Sequence, residues 1–128
     1  MPLTRDQRTI KEATTAQYTA TLTDEAGVAI PSADLTTLTL TLYNESTAAI
    51  INSRDAQSVL NVNGGTMHAT SGLLTMIFAV ADNPIVDTSL THGQTETHIA
   101  MFKFTWNSGA KAGYHLVTLE VEQLLKVV

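Results

Sequence analysis

The residues in this chain with the most specific chemistry are its four histidines. Glu96 and His98 stand two apart, so on a strand their side chains share one face, and His92 and His115 are candidates to join them. A zinc site of that kind calls for close ligand pairs or a helical His-Glu-x-x-His, and neither spacing occurs. His98 heads an aromatic run, which reads instead as a histidine at the rim of a core, satisfied by a hydrogen bond. Asp82, Asn83 and Asp87 bracket a loop and offer oxygen ligands suited to calcium, but not at the spacing of a twelve-residue EF-hand loop. Asp82-Asn83-Pro84 reads as a turn whose side chains satisfy nearby backbone. The sequence therefore points to no metal and no cofactor.

Catalysis by a nucleophile needs a base and an orienting group within reach. Serines and threonines abound, but none lies in a Gly-x-Ser-x-Gly turn. Glu120 and Glu122 would share a strand face about 7 Å apart, alternating with an apolar face, which makes them ordinary solvated carboxylates. Asn63-Gly64-Gly65 is too short to cradle a phosphate and opens no helix. Asn44-Glu45-Ser46 fits a glycosylation sequon, a triplet common by chance. The expectation is a non-enzymatic protein with no catalytic residues.

Bulk properties narrow the class further. A chain of 128 residues fits one domain with a core that needs no staples. It has no Cys, which removes disulfides, thiolate metal sites and a Cys nucleophile and fits a reducing compartment. The formal charge of -5, with seven scattered Lys and Arg, argues against nucleic acid as a partner; Arg5, Arg8 and Lys11 form the only loose basic group. No apolar run approaches the roughly 20 residues of a membrane span, and Met1 to Asp6 lacks the apolar stretch of a signal peptide. A soluble product that meets no membrane is expected.

The elements that must carry these residues alternate with period two, the mark of strands with one buried face. Ala16, Tyr18, Ala20 and Leu22 oppose Gln17, Thr19 and Thr21, and Asp24-Glu25-Ala26-Gly27 turns the chain. Leu38, Leu40 and Leu42 alternate with Thr37, Thr39 and Thr41, β-branched residues that suit an outer pleat. Ala49–Asn52 reads as a short strand returning onto 38–43, and 55–60 as either one helical turn or a short edge strand. Further strands follow at 66–69 and 74–78. His98, Ala100, Phe102, Phe104 and Trp106 then share a face, and after the Asn107–Gly113 hairpin so do His115, Val117, Leu119 and Val121. Seven or eight short strands at roughly 8–12-residue spacing predict a single all-β domain, an immunoglobulin-like sandwich of antiparallel strands over residues 10–123.

Residues 1–9 read as a polar N-terminal arm and 124–128 as an apolar C-terminal tail. Exposed apolar ends tend to mark contacts, so Leu124, Leu125, Val127 and Val128, with Leu3 and Arg5 of the arm, are the candidate partner-binding residues. The competing reading is that the tail completes an edge strand of its own sheet.

Two stretches carry a resemblance. One is 16–27 (AQYTATLTDEAG), continuing through Ile30-Pro31 to Leu38–Tyr43; the other runs from Ala81-Asp82-Asn83-Pro84-Ile85-Val86-Asp87 to 96–106 (ETHIAMFKFTW). With Ile50–Arg54 and Val59-Leu60-Asn61, they make most of the chain from Thr9 onward resemble small immunoglobulin-like structural proteins of tailed bacteriophages. The resemblance implies a virion protein made in the host bacterial cytoplasm: a capsid decoration or accessory protein, or else a head–tail connector or tail component. The implied partners are other capsid or tail proteins, with copies that form a homo-oligomer or sit on a lattice. A host-surface carbohydrate-binding module is the alternative from another class, with Tyr43 and Tyr114 the expected exposed aromatics.

Overall fold

The computed structural model describes residues 3–124, which form eight strands. These are β1 (Leu3–Lys11), β2 (Ala16–Thr21), β3 (Leu35–Asn44), β4 (Gln57–Ser58), β5 (Gly65–Met67), β6 (Leu73–Phe78), β7 (Thr95–Trp106) and β8 (Lys111–Glu122). They build two sheets, one of five strands in the order β1-β8-β7-β3-β4 and one of three in the order β2-β6-β5. The all-β sandwich expected from the alternation is thus the observed architecture. No helix among the described residues is long and apolar enough to cross a membrane.

The predicted faces hold because β2, β3, β6, β7 and β8 each have one apolar row. Leu38, Leu40 and Leu42 of β3, Ala100 and Phe102 of β7, and Val117 and Leu119 of β8 are fully buried against Leu74, Met76 and Phe78 of β6. Burying each large apolar side chain contributes about 1.5–3 kcal/mol, so these rows dominate the fold. Residues 59–64 cross from one sheet to the other, with Val59 buried beneath them. A Cβ on Gly65 would stand 2.0 Å from the Val59 carbonyl oxygen, so only glycine lets the crossover close on β5.

Three expectations are corrected. The segment read as an N-terminal arm is from Leu3 onward the edge strand β1, and it pairs with β8 in parallel, from Leu3 opposite Tyr114 to Lys11 opposite Glu122. The sandwich is therefore not wholly antiparallel. Among β1's described side chains only Ile10 is a buried apolar residue, while Asp6 and Arg8 on the same face meet the Tyr18 hydroxyl and ring; that is why no apolar alternation announced the strand. The expected strand at Ala49–Asn52 is reduced to one bridge between Tyr43 and Ile50. Asn52 and Ser53 there take positive φ, which breaks an extended run. Of the two readings for 55–60, the short edge strand is the observed one, as β4.

The strand directions sort the loops into two ends. The β7–β8 turn (107–110) lies with 22–34 and 68–72 at what is here called the hairpin end. Segments 12–15, 45–56 and 79–94 lie at the opposite, loop end.

Candidate functional site

Most of the buried charge sits at the loop end, in two clusters. In the first, Arg54 and Asp82 are both buried and meet through two bonds: Arg54 Nε donates to Asp82 Oδ1 (2.5 Å) and Nη2 to Oδ2 (2.9 Å). Arg54 Nη1 also donates to Gln57 Oε1 and to the Asn63 carbonyl. Asp82 accepts further bonds from Asn52 Nδ2 and the Ala79 N–H. The cluster ties the β3–β4 turn to the crossover on one side and to the loop after β6 on the other, so it joins the two sheets. Burial pushes the Asp82 pKa up, but Arg54, Asn52 and the Ala79 N–H outweigh it and hold the carboxyl below its ordinary range.

The second cluster centres on Glu96. Its carboxylate accepts from the backbone N–H groups of Val86 (3.0 Å) and Asp87 (2.9 Å), from Asn44 Nδ2 (3.2 Å) and from His98 Nε2. Burial raises the Glu96 pKa, yet the Asp87 N–H, His98 and the Val86 N–H together leave it lowered. His98 is fully buried, and its Nδ1 is one of two buried side-chain polar atoms without a partner among the described residues, Asn83 Oδ1 being the other. Asn44, the sequon residue, is buried, with Oδ1 capping the N–H groups of Ser46 and Thr47 and Nδ2 on Glu96. A glycan has no access to that nitrogen in the folded chain.

A third cluster fastens β1 to the opposite sheet. The Tyr18 hydroxyl donates to Asp6 Oδ2 (3.1 Å) and also meets His115 Nε2, while the Arg8 guanidinium lies 5.1 Å over the Tyr18 ring. Tyr18 stacks on Phe102 and on His115. Burial, then the Asp6 bond, raises the Tyr18 pKa well above its ordinary value, and burial lowers that of His115.

The residues singled out for metal chemistry separate. His98 faces Glu96, His115 faces Tyr18, and His92 is exposed in the 79–94 loop. Asp82 is spent on Arg54, Asn83 Nδ2 donates to the Thr14 carbonyl, and exposed Asp87 caps Ser89. Among the described residues no group of three or more His, Asp or Glu is placed to hold a metal ion. Glu120 takes a bond from Thr97 Oγ1 and Glu122 pairs with Lys11. Tyr43 and Tyr114 are half-buried, the latter with Lys103 Nζ 5.8 Å over its ring.

Of the candidate contact residues, Leu124 is half-buried and its N–H donates to Glu12 Oε1 (2.7 Å). The backbone of Gln123 bonds with Gly93 and Gln94, so the start of the tail is held against the loop end. Leu125, Val127 and Val128 lie outside the described residues. Leu3 pairs through its backbone at the head of β1, and Arg5 is exposed opposite Leu116. At the hairpin end an open groove of about 790 Å³ is lined by Asp34, Leu35, Trp106, Asn107, Ser108 and Lys111.

Sequence reasoning missed Arg54 with Asp82, Asn44 with Glu96, and Asp6 with Tyr18. Each pair joins residues distant in sequence, and no local spacing marks them. Comparison with protein-family models, curated proteins and solved structures gives no significant match. The likeness to phage proteins thus rests on the residue patterns alone.

Proposed function

We propose that this chain is a non-enzymatic structural component of a tailed phage virion, a capsid decoration or accessory protein that binds the particle through β contacts. The observation that carries the non-enzymatic part is how the buried carboxylates are used. Lowered pKa values at buried acids often flag active sites, but structural networks shift them too. Here Asp82 and Glu96 are each saturated by protein donors that fix the chain path, so neither is poised to exchange a proton with a substrate. The strand grouping supports an immunoglobulin-like assignment: β8, β7, β3 and β4 in one sheet and β2, β6 and β5 in the other follow the variable-type order. The virion part rests on the resemblance, and fold likeness alone does not set function.

Mass spectrometry of gradient-purified virions from the phage that encodes the chain tests the reading. Copies in fixed ratio to the major capsid protein are expected, whereas a fixed ratio to tail proteins would move the chain to a connector or tail position. Absence from virions despite expression in infected cells would overturn the proposal. A second reading, recognition of a host-surface sugar, draws on the hairpin-end groove, where Trp106 lies beside Asp34 and Asn107. A glycan array with no hit above background removes it.

A further inference from the structure

The sandwich has four sheet edges, and they differ in how they are guarded. β4 is two residues long and β5 three, too short to template a partner. β1 is nine residues long but carries exposed Arg5, Arg8 and Lys11, the charged side chains by which edges are blunted. β2 is six residues long and holds no charge, no Pro and no bulge.

The phase of the β2 ladder shows which of its backbone groups are free. Leu22 N–H donates to the Gly72 carbonyl, so the even-numbered residues of this strand bond towards β6. Gln17, Thr19 and Thr21 therefore direct their N–H and C=O groups away from β6, and no described backbone group bonds to them. Ala16 and Ala20 face inward yet stay only partly buried, unlike the fully buried Phe78 and Leu74 opposite them, as expected of an edge strand.

We infer that the β2 edge is a docking strand for a second copy of this chain, joined in antiparallel register about a two-fold axis at Thr19. The inference deepens the assembly reading and rests on it. A two-fold through Thr19 sets Thr19 opposite Thr19 of the second copy and Gln17 opposite Thr21. It is the two-fold register in which each of the three outward residues meets an outward residue of the second copy, giving hydrogen-bonded pairs throughout. On the outer face, Thr66, Thr75 and Thr19 already lie in one row across β5, β6 and β2, and the axis doubles that row across a six-stranded sheet. Gln17 and Thr21 are backed by Ile77 and Leu73, so the joined face is uncharged. For a chain of formal charge -5 this is where two copies approach without like-charge repulsion. Two of the three neighbouring β1 cations are neutralised, Arg8 by Asp6 and Lys11 by Glu122.

A single strand pair buries less than a standard interface, so the affinity belongs to the weak class and the test needs high concentration. Light scattering on the wild-type protein should show a mass rising from monomer to dimer with concentration. Thr19→Lys, which sets two ammonium groups face to face on the axis, should remain monomeric with unchanged circular dichroism. Thr19→Glu should do the same, and an equimolar mixture of the two variants should recover the dimer mass, because position 19 meets only itself. A wild-type protein monomeric at the highest attainable concentration overturns the inference, as does a dimer that survives Thr19→Lys. Either failure leaves a virion role standing if particles still contain the chain. A dimer that obeys the mixing rule, made by a chain absent from virions, would retain the pairing and remove the virion role.

Discussion

The two ends of the sandwich are closed by different physics. At the loop end, Arg54–Asp82 and Glu96 with His98 and Asn44 are buried, and each links segments far apart in sequence. At the hairpin end the side-chain bonds are mostly local. Asp24 Oδ1 accepts from the N–H groups of Ala26 and Val28, and His68 Nδ1 caps Thr70 and Ser71. The long-range ion pair there, Lys111 with Glu25, lies in solvent. The connections between β6 and β7 and between β7 and β8 show the difference most clearly. The β7–β8 turn spans four residues and closes on its own hydrogen bonds, whereas 79–94 must be pinned to the sheets to hold one path. Buried charge is a costly pin, but once built it fails abruptly if one partner is lost.

The largest effect is expected where that pin is pulled. Asp82→Ala leaves Arg54 buried without its counter-charge and should destabilise the fold by about 3–5 kcal/mol in urea denaturation. A loss below about 1 kcal/mol would mean that Gln57 and Asn63 hold Arg54 without help, and the contrast between the ends would weaken.

A smaller, graded effect should come from pH. His115 has a lowered folded pKa, so below its ordinary value of 6.5 the unfolded chain binds the proton first. Its contribution is full above that pH and is lost as pH falls through the folded value. Asp82 and Glu96 are also lowered, from 3.8 and 4.5, so their contribution is present above those values and lost as pH falls through the folded ones. Stability should therefore decline in two steps, the first starting near 6.5 and the second near 4.5. In the second step, hydrogen exchange at the Val86 and Asp87 amides should accelerate before exchange in 107–110 does. Simultaneous opening of both ends would erase the distinction.

Smallest of all is Glu25→Ala. The pair it breaks is exposed and screened, so the melting temperature should stay within measurement error at moderate salt. A clear drop would show that the hairpin end also depends on a long-range charge.

Much of the strand layout was legible in advance because period-two alternation records burial directly. Tyr18 and Leu22, Leu38 to Leu42, His98 to Trp106 and His115 to Val121 face inward as their spacing indicates. β1 was not legible, since Asp6 answers the Tyr18 hydroxyl and a polar inward residue looks like a solvated one in sequence. Of the functional candidates, Glu96 and His98 were rightly placed on one strand face. Their role was not visible, because the Val86 and Asp87 amides that engage Glu96 arrive on a loop whose path depends on the whole sandwich.

By itself the sequence determined that the chain is all-β, which rows of side chains form the core, and where the hairpin turns, because alternation and turn chemistry act over a few neighbouring residues. Only the tertiary structure decided that β1 lies parallel on β8, that Arg54 meets Asp82, and that β2 is left with an unguarded edge. Those outcomes depend on which strands become neighbours, and strand adjacency is a balance over the whole chain that no local spacing encodes.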